Sequence, residues 1–210
     1  MLPRLVQAPL YHPLMKIRLA SAGDAEAIRA IYNVEVLEST NTFDMVARTP
    51  EEGEAWLRSH RGVHPAIVAV EPGPAVEPGR TVEPGRPEGG LAVEGGLAAR
   101  GRMGAHGEIV LGFGSLSPFR ERSGYAATAE NSVYVDRAQR GKGVGRALLA
   151  ELLALAEAHG FHSVIARVAG HNETSIGLHR AAGFELVGVE REVGRKHRQW
   201  LDVVELQRLL

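Results

Sequence analysis

The feature that most narrows what this chain can fold into is the run Arg140-Gly141-Lys142-Gly143-Val144-Gly145, set between a strand-like segment ending near Val135 and a long segment with helical apolar spacing. Glycines at alternate positions let the backbone approach another group where a Cβ would collide, and a helix starting there aims its free N–H groups at the same spot. Such a junction is an anion site, and Arg140, Lys142 and Arg146 add positive charge around it. Taken alone, the run also suits a turn that merely starts a helix. Two named alternatives fail. A P-loop needs Ser or Thr directly after its lysine, where this chain has Gly143; a dinucleotide fold needs the turn after its first strand, with an acidic residue about 20 positions on.

The rest of the chain supplies elements on either side of that junction. Met15 to Ala20 reads as a first strand behind a short leader, 1–15, with Met15 an alternative start. Ser21, three residues before Asp24 and ahead of Ile28, Ile31 and Tyr32, predicts a capped amphipathic helix to about Leu37. Thr49 as cap, Pro50 in the first helical position, Glu52 reaching back and Gly62 beyond the end predict a second. Strands are expected at Pro65–Val70, Glu108–Ser117 and Ala126–Val135, then the helix Gly143–His159, a strand Ser163–Val168, a short helix capped by Asn172, and strands near Phe184–Val193 and Gln199–Gln207. The order β-α-α-β-β-β-α-β-α-β-β belongs to one α/β domain over 16–207. Residues 71–107 break the pattern, because Val-Glu-Pro-Gly recurs at 70–73, 76–79 and 82–85, a period of six. So much Pro and Gly cannot bury enough apolar surface to offset its chain entropy, so this is expected to be a disordered insertion in a hairpin. Closing a longer loop costs only about 0.6 kcal/mol per doubling of length, which a surface hairpin tolerates.

Composition excludes several function classes. The formal net charge of -1 provides no general field for nucleic acid or an anionic membrane, and no apolar run approaches the ~20 residues a membrane helix needs. The chain has no cysteine, which rules out disulfides, thiolate metal sites and a cysteine nucleophile. A cytoplasmic protein is the simplest expectation.

Arg140-x-x-Gly143-x-Gly145 resembles the R/Q-x-x-G-x-G/A motif of the GNAT superfamily of N-acetyltransferases. Four further patches resemble the phosphinothricin acetyltransferase family within it: Ser39 to Phe43, Tyr125 to Val135, Leu178 to Phe184, and Gly194 to Val203. The resemblance implies a mixed, mostly antiparallel twisted sheet of about seven strands, splayed in the middle and flanked by about four helices. It implies acetyl-CoA as co-substrate with no metal, a small-molecule amine as acceptor, and a homodimer. Coenzyme contacts are then expected from Val133, Tyr134 and Val135, from Arg140, Gly141, Lys142, Gly143, Val144, Gly145 and Arg146 around the pyrophosphate, and from Asn172 and Ser175. Free backbone N–H groups of Val133 or Val135 are expected to polarise the thioester carbonyl.

Acetyl transfer to an amine needs a base for the nucleophile, stabilisation of developing negative charge, and a proton for the departing thiolate. Glu130 lies in a strand among small and apolar residues, where partial burial raises a carboxylate pKa toward general-base values, and the resemblance gives it that role. An exposed strand glutamate is the plain alternative. His179 stands where the superfamily often has a tyrosine; the readings open to it are thiolate acid, acceptor contact, or simple packing. For an acceptor with a carboxylate, Phe43, Arg122, Tyr125 and Lys196 are the candidate binding residues, with a solvated basic turn as the plain alternative. The expected reaction is direct acetylation of the α-amine of a small amino acid, or a phosphinothricin-like or methionine sulfoximine-like analogue, in a ternary complex. A peptide N-terminus, polyamine or aminoglycoside acceptor, and a non-catalytic coenzyme-binding module, are the alternatives.

Overall fold

A computed structural model of the protein describes residues 14–73, 102–170 and 172–210. The core of the leader and most of the insertion lie outside the described residues. In chain order the elements are β1 (Lys16–Leu19), α1 (Ala25–Glu38), α2 (Pro50–Ser59), β2 (Ala66–Pro72), β3 (Glu108–Pro118), β4 (Thr128–Val135), α3 (Val144–Ala158), β5 (Ser163–Ala169), α4 (Glu173–Ala181), β6 (Glu185–Lys196) and β7 (Gln199–Leu209). They form one seven-stranded sheet in the order β1-β2-β3-β4-β5-β7-β6. β4 and β5 run parallel and the other neighbours antiparallel.

Local chemistry starts α2 as the sequence predicts, whereas Ser21 caps a 3-10 turn, Ala22–Asp24, that leads into α1. At α2 the Thr49 hydroxyl accepts from the Glu52 N–H (3.2 Å) while the Glu52 carboxylate accepts from the Thr49 N–H (2.8 Å), a closed capping box. α3 buries Val144, Leu148, Leu149, Leu152, Leu153 and Ala156 against one sheet face, where Leu111, Leu116, Ala129, Val164 and Leu206 meet it. α1 and α2 cover the other face of β2 to β4 with Ile28, Ile31, Tyr32 and Leu57 against Val68 and Phe113. Because strand side chains alternate, β4 presents Ala129, Asn131, Val133 and Val135 toward α3 and α4, and Glu130, Ser132 and Tyr134 to the opposite face.

The structure corrects the sequence at two places. Residues 102–107, expected within the disordered insertion, are folded back onto the domain: Met103 bridges to Ile109, and the Ala105 N–H donates to Asp24 at 2.8 Å. The last strand pair is also longer than expected. β6 continues to Lys196 and turns into β7 through His197 and Arg198, both at positive φ (48° and 64°), the backbone of a two-residue type I′ hairpin built without the usual Asn or Gly.

Asp24 ties three segments together. Its carboxylate accepts from both terminal nitrogens of Arg18 in β1 (2.8 and 2.9 Å), from the N–H and hydroxyl of Ser21, and from Ala105. Burial opposes its charge, but these donors outweigh that and hold its pKa at about 2, below the ordinary 3.8. A depressed carboxylate pKa stabilises the fold above pH 3.8, and the contribution, on the order of 2 kcal/mol, is lost as pH falls toward 2. Asp24→Ala is expected to cost about 3–5 kcal/mol at neutral pH, because it leaves Arg18 and the N–H groups without their acceptor. Urea unfolding of both proteins checks this, and the gap between them should narrow in acid.

Candidate active site

The ladder between β4 and β5 has only three registered pairs, Thr128↔Ser163, Ala129↔Val164 and Glu130↔Ile165. Beyond Glu130 the strands part. β4 stays paired to β3 as far as Val135 and β5 stays paired to β7 as far as Ala169, so the outer edges are satisfied while the inner edges face each other across a gap. That gap opens into a cavity of about 1080 Å³, bordered by β4, β5, the glycine loop and α4.

The expected coenzyme residues converge there. Val133, Tyr134, Val135, Arg140, Gly141, Gly143, Val144, Gly145, Arg146, Asn172, Ser175 and His179 all line the cavity. Gly141 and Gly143 have φ of 76° and 84°, a region that favours glycine, and Gly143 is the N-cap of α3 with no capping side chain. The first intrahelical bond runs from the Ala147 N–H to the Gly143 carbonyl, so the N–H groups of Val144, Gly145 and Arg146 are available to an anion. Lys142, expected in the same set, is not among the lining residues, but it donates at 2.9 Å to Gln139, which is. Arg140 is held by Glu35 of α1 at 2.8 Å, a carboxylate that also receives Arg137 and Asn41. Burial works against the charge of Glu35, and the donors from Asn41, Ser39, Arg137 and Arg140 overcome it and lower its pKa. Asn172 caps α4 through the Ser175 N–H at 3.0 Å and donates its amide to Asn41 at 3.1 Å, so its cap role and its place in the cavity coexist.

Glu130 stands at the last β4–β5 pair, where the gap begins, half-buried on the face away from α3. Burial raises its pKa; Arg167 of β5 acts in the opposite direction, while Glu205 and Glu190 add to the rise. His179 is buried, and its two ring nitrogens are both engaged, Nδ1 with the Ser175 carbonyl (2.8 Å) and Nε2 with the Asn131 amide (3.0 Å). Both nitrogens are thus engaged within the fold, and burial lowers the pKa of the ring.

The four residues expected at the acceptor do not line the cavity. Lys196 is 1 % exposed and its ammonium donates to the carbonyls of Thr42 (2.9 Å) and Glu35 (3.4 Å), so it pins the 39–44 segment to β6, and burial lowers its pKa. Phe43 packs on Gly194 of β6, where an added Cβ would come within 2.3 Å of the ring. Arg122 is exposed, and Tyr125 meets Phe119 edge-on at 5.7 Å with Arg120, rather than Arg122, over both rings. The cation that does line the cavity on the Glu130 face is Arg167, paired with Glu190 at 2.5 Å. Nothing near Arg167 in the sequence marks it, since its partner lies in a later strand.

A sequence profile of the acetyltransferase (GNAT) family matches residues 87–184. The chain is 34% identical over 193 residues to an L-methionine sulfoximine/L-methionine sulfone acetyltransferase of Pseudomonas paraeruginosa, covering 91% of this chain and 92% of the relative. It is 32% identical to a phosphinothricin N-acetyltransferase of Streptomyces coelicolor, over 93% and 96% of the two chains. Among solved structures, a GNAT superfamily phosphinothricin acetyltransferase from Sinorhizobium meliloti in complex with acetyl-CoA superposes with a TM-score of 0.74 at 31% identity, covering 94% of this chain and 89% of that one. With the glycine cradle, the splayed strands and these relatives in agreement, the chain belongs to the GNAT acetyltransferase family and is an acetyl-CoA-dependent N-acetyltransferase.

Proposed function

We propose that this enzyme acetylates the α-amine of a small amino acid, or of a phosphinate or sulfoximine analogue of one, by direct attack within a ternary complex. The observation that carries the reading is Glu130, half-buried with a raised pKa, at the point where β4 and β5 part beside the cavity. Bound acetyl-CoA supplies an acetyl group activated as a thioester. Glu130 takes one proton of the acceptor ammonium, the free amine attacks the thioester carbon, and the inner edge of β4 at Val133 and Val135 offers backbone N–H groups for the carbonyl oxygen. As the C–S bond breaks, the departing thiolate takes up a second proton of the attacking nitrogen and leaves as the free thiol, and Glu130 returns its proton to solvent. The glycine loop and the start of α3 hold the phosphates, and Asn172 and Ser175 border the arm. No cysteine exists to carry an acyl-enzyme, which favours direct transfer. On the acceptor side, Arg167 suits a carboxylate or phosphinate through its planar fork, exchanging Glu190 for the ligand.

One observation favours a different amine. Glu190 and Glu205 come close enough to Glu130 to raise its pKa, so the acceptor side is richer in carboxylates than chain order suggests, and a polyamine would find them attractive. Thiol release from acetyl-CoA with phosphinothricin, methionine sulfoximine, methionine sulfone, spermidine and an aminoglycoside separates the two readings. We expect turnover with the amino-acid analogues at a kcat/KM at least about tenfold above the polycations, equivalent to about 1.4 kcal/mol of discrimination. Turnover confined to the polycations sinks the amino-acid reading.

A further inference from the structure

Asn131 lies on β4 one residue beyond Glu130, faces α4, lines the cavity and is 5 % exposed. The protons around it fix which way its amide points. Nδ1 of His179 is 2.8 Å from the Ser175 carbonyl oxygen, and a carbonyl only accepts, so Nδ1 carries the hydrogen. Burial disfavours the charged ring, and a neutral ring protonated on Nδ1 carries a lone pair on Nε2. The Asn131 atom 3.0 Å from Nε2 must therefore be the donor, Nδ2, since Oδ1 there would set two lone pairs against each other. Oδ1 is thereby turned away from His179. It is buried and has no hydrogen-bond partner among the described residues. A buried acceptor in that condition calls for a donor, and the cavity that Asn131 lines is where one would come from.

We propose that Oδ1 of Asn131 accepts the pantetheine amide N–H nearest the thioester, and that His179 is the positioning residue that aims it. With the phosphates at the start of α3 and the reacting carbon beside Glu130, the part of the arm passing Asn131 is its thioester end. The thioester itself has acceptors only. The first donor along the arm is the amide two carbons from the sulfur, and its N–H is the group whose chemistry matches an orphan carbonyl oxygen. Asn131 thus registers the arm along the gap so that the thioester meets the base. The assignment is independent of which amine is acetylated.

Calorimetry on the intact protein tests it. Asn131→Leu is expected to raise the Kd of acetyl-CoA and of coenzyme A roughly threefold to tenfold, the effect of one lost neutral hydrogen bond. The Kd of adenosine diphosphate, which carries the pyrophosphate without the arm, should not change. His179→Phe keeps the ring packed edge-on to Phe184, 5.0 Å away, while freeing the Asn131 amide to turn; it should weaken acetyl-CoA in the same direction by less. Asn131→Ala serves the same comparison if the leucine variant does not fold. Nitrogen-15 spectra of the imidazole near neutral pH should report a neutral ring protonated on Nδ1. An Nε2-protonated ring, unchanged acetyl-CoA affinity, or an equal loss for adenosine diphosphate would each overturn the proposal.

Discussion

Glu130→Gln is expected to lower kcat by about 10²–10⁴-fold while leaving the Kd of acetyl-CoA within a factor of about two. The substitution keeps the size and hydrogen-bonding reach of the side chain and removes its capacity to take a proton. The cavity proposed to hold the coenzyme is bordered by β4 beyond Glu130 and by the start of α3, so in this reading binding and proton transfer are separable by position. The wild-type pH profile carries the same signature. Burial raises the Glu130 pKa, and a base acts only when ionised, so kcat/KM should climb with pH through a value above the ordinary glutamate range. In Glu130→Gln that acidic limb should vanish. Full turnover in this variant, or an unshifted limb, removes Glu130 from the mechanism.

Arg167→Ala should raise the KM of an acidic amino-acid acceptor by roughly 10- to 100-fold, the loss of about 1.5–3 kcal/mol from a charge-assisted contact, with coenzyme affinity unchanged. The same change carries a second, independent readout. Arg167 is the group that acts against the rise in the Glu130 pKa, so its removal should move the acidic limb of kcat/KM further upward. A variant with only a structural defect would lower activity without moving that limb. If acceptor KM is unaltered, the carboxylate is held elsewhere, and Arg122 becomes the residue to substitute next.

Element order was legible in the sequence because its signals are local. The Thr49 and Glu52 capping pair, the apolar spacing from Val144 to Ala156 and the positive-φ glycines at 141 and 143 each depend on a few neighbouring residues. Residues 102–107 were misassigned because their order derives from Asp24, which lies far away in the chain, while their own composition resembles the insertion beside them. The type I′ turn at His197 and Arg198 escaped for the opposite reason: the turn lacks the residues that normally announce it, and the pairing of Lys196 with Gln199 imposes it.

The same division holds at the site. The sequence by itself determined the family and the glycine turn at the start of α3, and it nominated Glu130 as the base, since backbone freedom at glycines and a strand–loop–helix junction are properties of contiguous residues. Only the tertiary structure decided which polar groups face the cavity. It buried Lys196 against carbonyls, brought Arg167 to the Glu130 face, joined Asn41 to Asn172 across 131 residues, and locked His179 between Ser175 and Asn131. Burial and the choice of hydrogen-bond partner fix the protonation and reach of an ionisable side chain, and both depend on segments that meet only when the sheet is assembled.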